Sequence, residues 1–397
     1  MPPRFDSRRC PPAPALTDRV GFEGEPAPHV LVVGDTVAAL AAAIVFERAG
    51  ASITVLTRHG GSPSTTGAVT LTPAALSMLT TIDRTDRIEP AATSITEATV
   101  CTDDGGTEAV TLTSAGSRST PSTVDRGRLL DVLRQNLDSP VRQGQEIDHL
   151  SDEGDGVRVT DQHDEPRWVD LVVGADGPNS FVRTMTGTAT SSPAGLHEWT
   201  FRVDRPAWWS AGLVEGWTRH ALATVVPMGD ELGVCLGVHV PAGRSSDPRE
   251  RAEQALMSFD GRVGRLLEQH LPPDAVFRWL PDPSVDPVFR AGRVAFCGEA
   301  ATPVGYLSGL TPALGLEDAL VLAETVTTVE PMDAALDRYE TCRERRLARL
   351  RGSTRAAPPH EQHYPPQSRS GPLGRIAALR TVGFGGLLDR TEREPGR

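Results

Sequence analysis

The chain contains no lysine: all 40 basic residues are arginine, set against 52 acidic ones, for a net charge of −12. An acidic surface of this kind repels phosphates, so nucleic acid is excluded as an expected partner. No apolar run approaches the ~18 residues of a membrane span, so a membrane partner is not expected. Cysteine is scarce as well. Cys10, Cys101, Cys235, Cys297 and Cys342 are odd in number and scattered, with no C-x-x-C pair. That spacing offers neither a zinc site nor a disulfide framework, so no metal is expected and a reducing cytoplasm is the expected setting. Arg8 and Arg9 are followed by no apolar segment, which argues against a twin-arginine export signal.

What the chain does have begins at His29. Residues 29–33, HVLVV, form an apolar run that ends at Gly34, and an Ala-rich helical stretch follows from Val37 to Gly50. Ile53, Val55 and Leu56 then mark a second buried strand. Strand, tight turn, helix and strand over about 30 residues make the first βαβ unit of a dinucleotide-binding fold. The fingerprint G-x-G-x-x-G falls on Gly34, Thr36 and Ala39, so only its first position is glycine. The acidic residue expected at the end of the second strand is Thr57. A length of 397 residues allows one large or two medium domains.

Further along, residues 97–123 alternate in a way that predicts a hairpin, and residues 125–137 predict a helix that buries Leu129, Leu130, Val132 and Leu133. Val141 to Ile147, Val157 to Thr160 and Trp168 to Val173 read as one three-stranded element. Between residues 188 and 285 the character changes. Trp199, Trp208, Trp209 and Trp217 fall here, and Leu232 to Val240 alternates. Leu232, Val234, Leu236, Val238 and Val240 share one face; Gly233, Cys235, Gly237 and His239 share the other. The small-residue face suits a sheet lying over a ligand, and simple stacking on another element fits the same periodicity. Val294 to Cys297 predicts a buried strand, and residues 333–351 a basic amphipathic helix. From Ser353 the chain is Pro-rich and then weakly amphipathic, which reads as a packing arm, with a membrane-surface helix as the alternative.

Three motifs then agree in order and separation. They are the βαβ unit at 29–58, DLVVGADGPNSFVR at 170–183, and GRVAFCGEAATP at 292–303 leading to LEDA at 316–319. Across roughly residues 29–351 the chain resembles the para-hydroxybenzoate hydroxylase type of flavoprotein monooxygenase, nearest the salicylate hydroxylase branch. The resemblance implies an α/β fold. A Rossmann-like FAD-binding domain, built on a mixed or parallel sheet with helices, would carry an inserted α+β substrate domain whose sheet covers the flavin site. The implied division is a disordered lead at 1–28, an FAD-binding domain at 29–187 and 286–352, a substrate domain at 188–285, and a tail at 353–397.

The resemblance also assigns cofactor positions. Gly34 and Thr36 would lie at the flavin pyrophosphate, and Thr57 and Arg58 at the ribose. Arg126, Asp176 and Gly177 would touch the cofactor, Glu299 the ribityl chain, and Pro303 the isoalloxazine. Gly309, Leu310 and Thr311 would lead into the helix facing the reduced flavin. Asp35 would repel the phosphates, and Thr36 would place a Cβ where backbone should come close. The implied activity consumes NADH or NADPH, docked transiently, and O2, and hydroxylates or epoxidises a small apolar or aromatic substrate. The cofactor carries the chemistry, so no catalytic side chain is assigned; His220 and His239 are the acid–base candidates of the substrate sheet. Two alternatives stand beside this reading. One is a protein of the same fold that has lost flavin and catalysis, with a binding or regulatory role. The other is an FAD-dependent reductase of isoprenoid-like alkenes.

Overall fold

The computed structural model describes Phe22 and residues 27–57, 67–83, 85–102, 107–111, 120–145, 147–161, 166–188, 193–209, 212–218, 221–239, 247–267, 271–281, 286–302 and 311–354. The chain runs β1 (His29–Val33), α1 (Val37–Arg48), β2 (Ser52–Thr57), β3 (Ala68–Leu71), α2 (Pro73–Ile82), α3 (Ile88–Ala91) and β4 (Thr93–Ser94). Next come β5 (Glu97–Thr102), β6 (Thr107–Thr111), β7 (Ser122–Asp125), α4 (Arg126–Gln135), β8 (Val141–Gln143), β9 (Ile147–Asp152), β10 (Val157–Asp161) and β11 (Pro166–Val169). They are followed by β12 (Leu171–Gly174), α5 (Phe181–Met185), β13 (Pro193–Asp204), β14 (Leu213–Trp217), β15 (Ala221–Met228), β16 (Glu231–His239), α6 (Pro248–Leu256), α7 (Gly261–Leu267) and β17 (Val276–Pro281). The last elements are β18 (Arg290–Ala291), β19 (Val294–Phe296), a tight turn at Gly298–Ala300, α8 (Thr311–Thr328) and α9 (Met332–Thr354).

A six-stranded sheet in the order β18-β19-β12-β1-β2-β8 forms the first layer, parallel from β19 to β8. Its central strands are continuously apolar because both faces are covered. Helix α1 is buried from Val37 to Phe46, as befits a helix enclosed on all sides. Its alanines let α8 come close. An ideal Cβ on Gly315 would stand 2.9 Å from the Ala38 Cβ, and one on Gly298 would stand 3.0 Å from it. A seven-stranded sheet, β17-β13-β16-β15-β14-β5-β6, forms the second layer. One face of it packs Trp199, Phe201, Leu232, Val234, Leu236 and Val238 against α6 and α7. Its other face turns toward β3, where a Cβ on Gly233 would stand 2.7 Å from the Ala68 Cβ.

Three expectations change. The hairpin within 97–123 exists as β5 and β6, but it extends the second sheet, so that sheet draws on residues well before 188. The three-stranded element is β9, β10 and β11, while β8 joins the parallel sheet. The run from Trp168 to Val173 is divided at Asp170, whose carboxylate accepts a 2.7 Å hydrogen bond from the His29 N–H and so fixes β12 beside β1. Among the described residues, Cys101, Cys235 and Cys297 carry reduced thiols. Among the described residues no helix is long and apolar enough to cross a membrane.

Candidate active site

Strand β1 pairs with β2 on one side and β12 on the other. The chain therefore leaves β1 and β12 at the switch point of the sheet, where α/β folds form a ligand crevice. Gly34 sits there at φ +134°, and a Cβ on it would stand 2.4 Å from the Ala175 carbonyl oxygen. This glycine is thus required by the backbone of the second motif.

Thr36 has a place in the fold that the fingerprint does not show. Its hydroxyl accepts a 3.1 Å hydrogen bond from the Ala39 N–H and donates a 2.8 Å one to the Ala175 carbonyl. It caps α1 and ties the first motif to the second. Both oxygens of the Asp35 carboxylate accept from one nitrogen, the Arg134 Nη2, at 2.6 and 2.7 Å. The charge expected to repel phosphates is therefore paired within the fold. Thr57 is buried at the end of β2, with its carbonyl accepting from the Gly144 N–H at 2.8 Å.

In the second motif, Asp176 Oδ2 accepts from the N–H groups of Phe181 and Val182 at 2.7 and 3.3 Å, capping α5. Its Oδ1 is buried with no hydrogen-bond partner among the described residues. Gly177, at φ +92°, has nothing among the described residues within 4 Å of where a Cβ would lie. Arg183 is buried nearby; burial lowers its pKa and Asp176 opposes that shift.

Arg126 is the first residue of α4, after Asp125, whose carboxylate accepts from the Arg128 N–H at 2.7 Å. The Arg126 Nε is buried without a hydrogen-bond partner among the described residues. Burial, and then the positive charge of Arg278, lower its pKa; Glu299, Asp35 and Glu198 pull it back up. These charges therefore share one neighbourhood. Glu299 lies in the turn after β19, and its Oε2 accepts from the Arg278 Nη1 at 3.2 Å. The Arg278 Nε in turn donates to Glu198 on β13.

The turn that carries Glu299 is held from behind. The Gly298 N–H donates to Asp318 Oδ2 at 2.7 Å, and Asp318 Oδ1 pairs with the Arg343 Nε at 2.5 Å. The Tyr339 hydroxyl donates to the Phe296 carbonyl at 2.7 Å. Thr311 opens α8. Arg58, Pro303, Gly309, Leu310 and His220 lie outside the described residues, as does the side chain of His239.

Asp176 Oδ1, beside the switch point, is thus a buried acceptor, and Arg126 Nε, in the charged neighbourhood of Glu299 and Asp35, is a buried donor; neither has a partner among the described residues. The switch point also has a capped helix start, at Thr36. Buried polar atoms are ordinarily satisfied, so this pair suits a ligand rich in hydroxyls and phosphate, as FAD is. The family model for the FAD binding domain matches residues 28–355. The chain belongs to that flavoprotein family, the salicylate hydroxylase and para-hydroxybenzoate hydroxylase type.

Among relatives of this flavoprotein, the aurachin C monooxygenase/isomerase of Stigmatella aurantiaca is 29% identical over 232 residues, covering 56% of this chain and 59% of that one. The dialkyldecalin synthase of Streptomyces rugosporus is 29% identical over 245 residues, covering 58% and 50%. Both matches thus span less than two thirds of the relative's length. Among solved structures, Klebsiella pneumoniae HpxO in complex with FAD and uric acid matches with a TM-score of 0.71 at 19% identity, covering 91% of this chain and 95% of that one. At that identity the likeness concerns the fold.

Sequence reasoning missed Arg134, Arg278 and Glu198. One signal was available for the last two. In each strand a charged residue is flanked by aromatic rings, His197 and Trp199 around Glu198, and Phe277 and Trp279 around Arg278. On an alternating strand this places the charge on the face opposite the packed rings.

Proposed function

We propose that this flavoprotein is an FAD-dependent monooxygenase that uses NADH or NADPH and O2 to hydroxylate or epoxidise a small apolar or aromatic molecule in the cytoplasm. The observation that carries the reading is two buried polar atoms with no partner among the described residues, Asp176 Oδ1 beside the switch point of the sheet and Arg126 Nε at the start of α4, in a chain of this family. FAD, when bound, supplies the redox chemistry that activates oxygen. The chain's own residues bind, orient and exclude water. The first amides of α1, at Val37 and Ala38, precede any intrahelical acceptor and favour an anionic group. Gly34 and Thr36 shape that turn, and Thr57 with Arg58 serves the ribose. Arg126 adds a cation and a donor; Asp176, beside Gly177, and Glu299 accept from hydroxyls. By the family resemblance, Pro303, Gly309, Leu310 and Thr311 line the flavin ring, with the start of α8 favouring negative charge there. Leu213, Trp217, Leu222 and Val226, buried on the side of the second sheet that also packs Ala68, supply an apolar cover.

The test is direct. The purified protein should be yellow, and FAD-stripped protein should bind FAD with a saturable change in flavin fluorescence. NAD(P)H oxidation that requires O2 and an added aromatic substrate supports the monooxygenase; oxidation independent of O2 indicates the reductase. A second reading, a flavin-free binding protein, is favoured by one observation: the Thr36 hydroxyl already occupies the Ala39 N–H at the helix end. Colourless protein without affinity for FAD would establish it.

A further inference from the structure

The family resemblance puts an aspartate where this chain has Glu299. A glutamate keeps the acceptor oxygens but adds a methylene and one more rotatable bond, so its carboxylate must be held in place if it is to meet a ribityl hydroxyl. The structure contains a group that does so, and it comes from the other layer. Arg278 stands on β17, the edge strand of the second sheet. It is paired across the ladder with Glu198, on the face opposite the packed Trp199 and Phe277.

Among the described residues its guanidinium makes two contacts, Nε to Glu198 and Nη1 to Glu299 Oε2 at 3.2 Å. Glu198 is 5% exposed and fixes the base of the fork. Among the described residues Glu299 is therefore held through one oxygen, which leaves Oε1 to accept from a ligand. Burial alone would lower the pKa of Arg278, but Glu198 and Glu299 together hold it above the ordinary arginine value, so the fork stays charged. The Glu299 turn is meanwhile fixed at its backbone by Asp318, on the Gly298 N–H. Backbone and side chain are thus positioned by two different layers of the molecule.

We propose that Arg278 is a positioning residue for FAD: it orients the Glu299 carboxylate from the substrate sheet, so that the cofactor site is completed across the boundary between the two layers. The proposal rests on the flavin reading above. Its function is to compensate the longer side chain at position 299. A consequence is that β13 and β17, which carry the substrate side, are coupled to cofactor affinity, and linkage makes that coupling reciprocal.

The experiment is a double-mutant cycle read as the FAD dissociation constant of the full-length, FAD-stripped protein, by flavin fluorescence. Arg278→Gln keeps a donor for Glu198 and should weaken FAD about tenfold, which corresponds to about 1.4 kcal/mol. In a Glu299→Gln background the same change should cost less than twofold, because the charged pair it breaks is already gone. Arg278→Lys keeps the charge without the fork and should recover part of the affinity. Should Arg278→Gln prove insoluble, Arg278→Lys is read alone against wild type, with a loss of about threefold expected. The visible spectrum of bound flavin and the melting of FAD-free protein are recorded alongside, to separate positioning from damage to the fold.

Wild-type affinity in Arg278→Gln, or an equal loss with and without the Glu299 carboxylate, overturns the proposal while leaving the flavin reading intact. Wild-type protein that takes up no FAD overturns both.

Discussion

Two charge clusters meet at the turn after β19, and they are built differently. Behind the turn, Arg343 pairs with Asp318 and Glu317, and Arg346 makes two 2.9 Å bonds to Glu317. The side chains of Arg343, Glu317 and Asp318 are 5%, 3% and 1% exposed, and the cluster also takes the Gly298 N–H. Donors are matched to acceptors there, and the low dielectric makes each bond costly to lose. In front of the turn, Arg278 bridges Glu198 and Glu299, its side chain is 37% exposed, and Arg126 beside them keeps a buried Nε with no partner among the described residues. The closed cluster serves the fold. The open one has donors and acceptors left for a ligand.

Single substitutions should separate the two. Arg343→Ala leaves the buried Asp318 carboxylate without its paired cation, and we expect a loss of about 3–5 kcal/mol in chemical denaturation. A loss under about 1 kcal/mol would mean that the closed cluster is replaceable. Arg126→Gln should do the reverse. Denaturation of the FAD-free protein should be unchanged, while FAD binding weakens about tenfold, near 1.4 kcal/mol. If Arg126→Gln instead unfolds the protein and spares FAD, the contrast between the clusters fails.

Thr36 lies between these cases, since its hydroxyl serves both a helix cap and the Ala175 carbonyl. Thr36→Ala should cost about 1 kcal/mol of stability, and Thr36→Ser should restore most of it in the same denaturation assay.

A pH effect away from both clusters concerns Glu324, on α8. Burial raises its pKa from 4.5 to about 7, with Arg338 opposing, and its Oε2 lacks a partner among the described residues. A carboxyl with a raised folded-state pKa stabilises fully below its unfolded value and loses that contribution as pH rises through the folded one. Melting temperature should therefore fall between about pH 4.5 and pH 7 for this reason, and Glu324→Gln should flatten the decline. An unchanged slope in the variant would assign the pH dependence elsewhere.

The resemblance in sequence reached the fold because three motifs carry backbone requirements. Gly34 must lack a Cβ to pass Ala175, Asp176 caps α5, and the run Val294 to Phe296 must be apolar to sit within a covered sheet. Each requirement is local or involves one neighbour, so it leaves a mark at one position. The roles of Thr36 and Asp35 are less legible. Beside a fingerprint they look like defects, yet one is a cap and the other is half of an ion pair. Their partners, Ala175 and Arg134, stand 139 and 99 residues away. The hairpin of β5 and β6 was legible as a hairpin, but not its sheet, because alternation records that a strand has two faces and not which strand lies beside it.

The sequence by itself determined the α/β architecture, the order of its motifs and the flavoprotein family, since glycine at a left-handed turn, capping side chains and apolar periodicity are properties of residue type and spacing. Tertiary structure alone decided that Asp35 is neutralised by Arg134, that Glu299 is held by Arg278 from the opposite layer, and that Asp176 Oδ1 and Arg126 Nε are buried with no partners among the described residues. Those facts depend on which side chains are brought within about 3 Å of one another, and hydrogen bonds and ion pairs fall off too steeply with distance and angle for composition or periodicity to specify them.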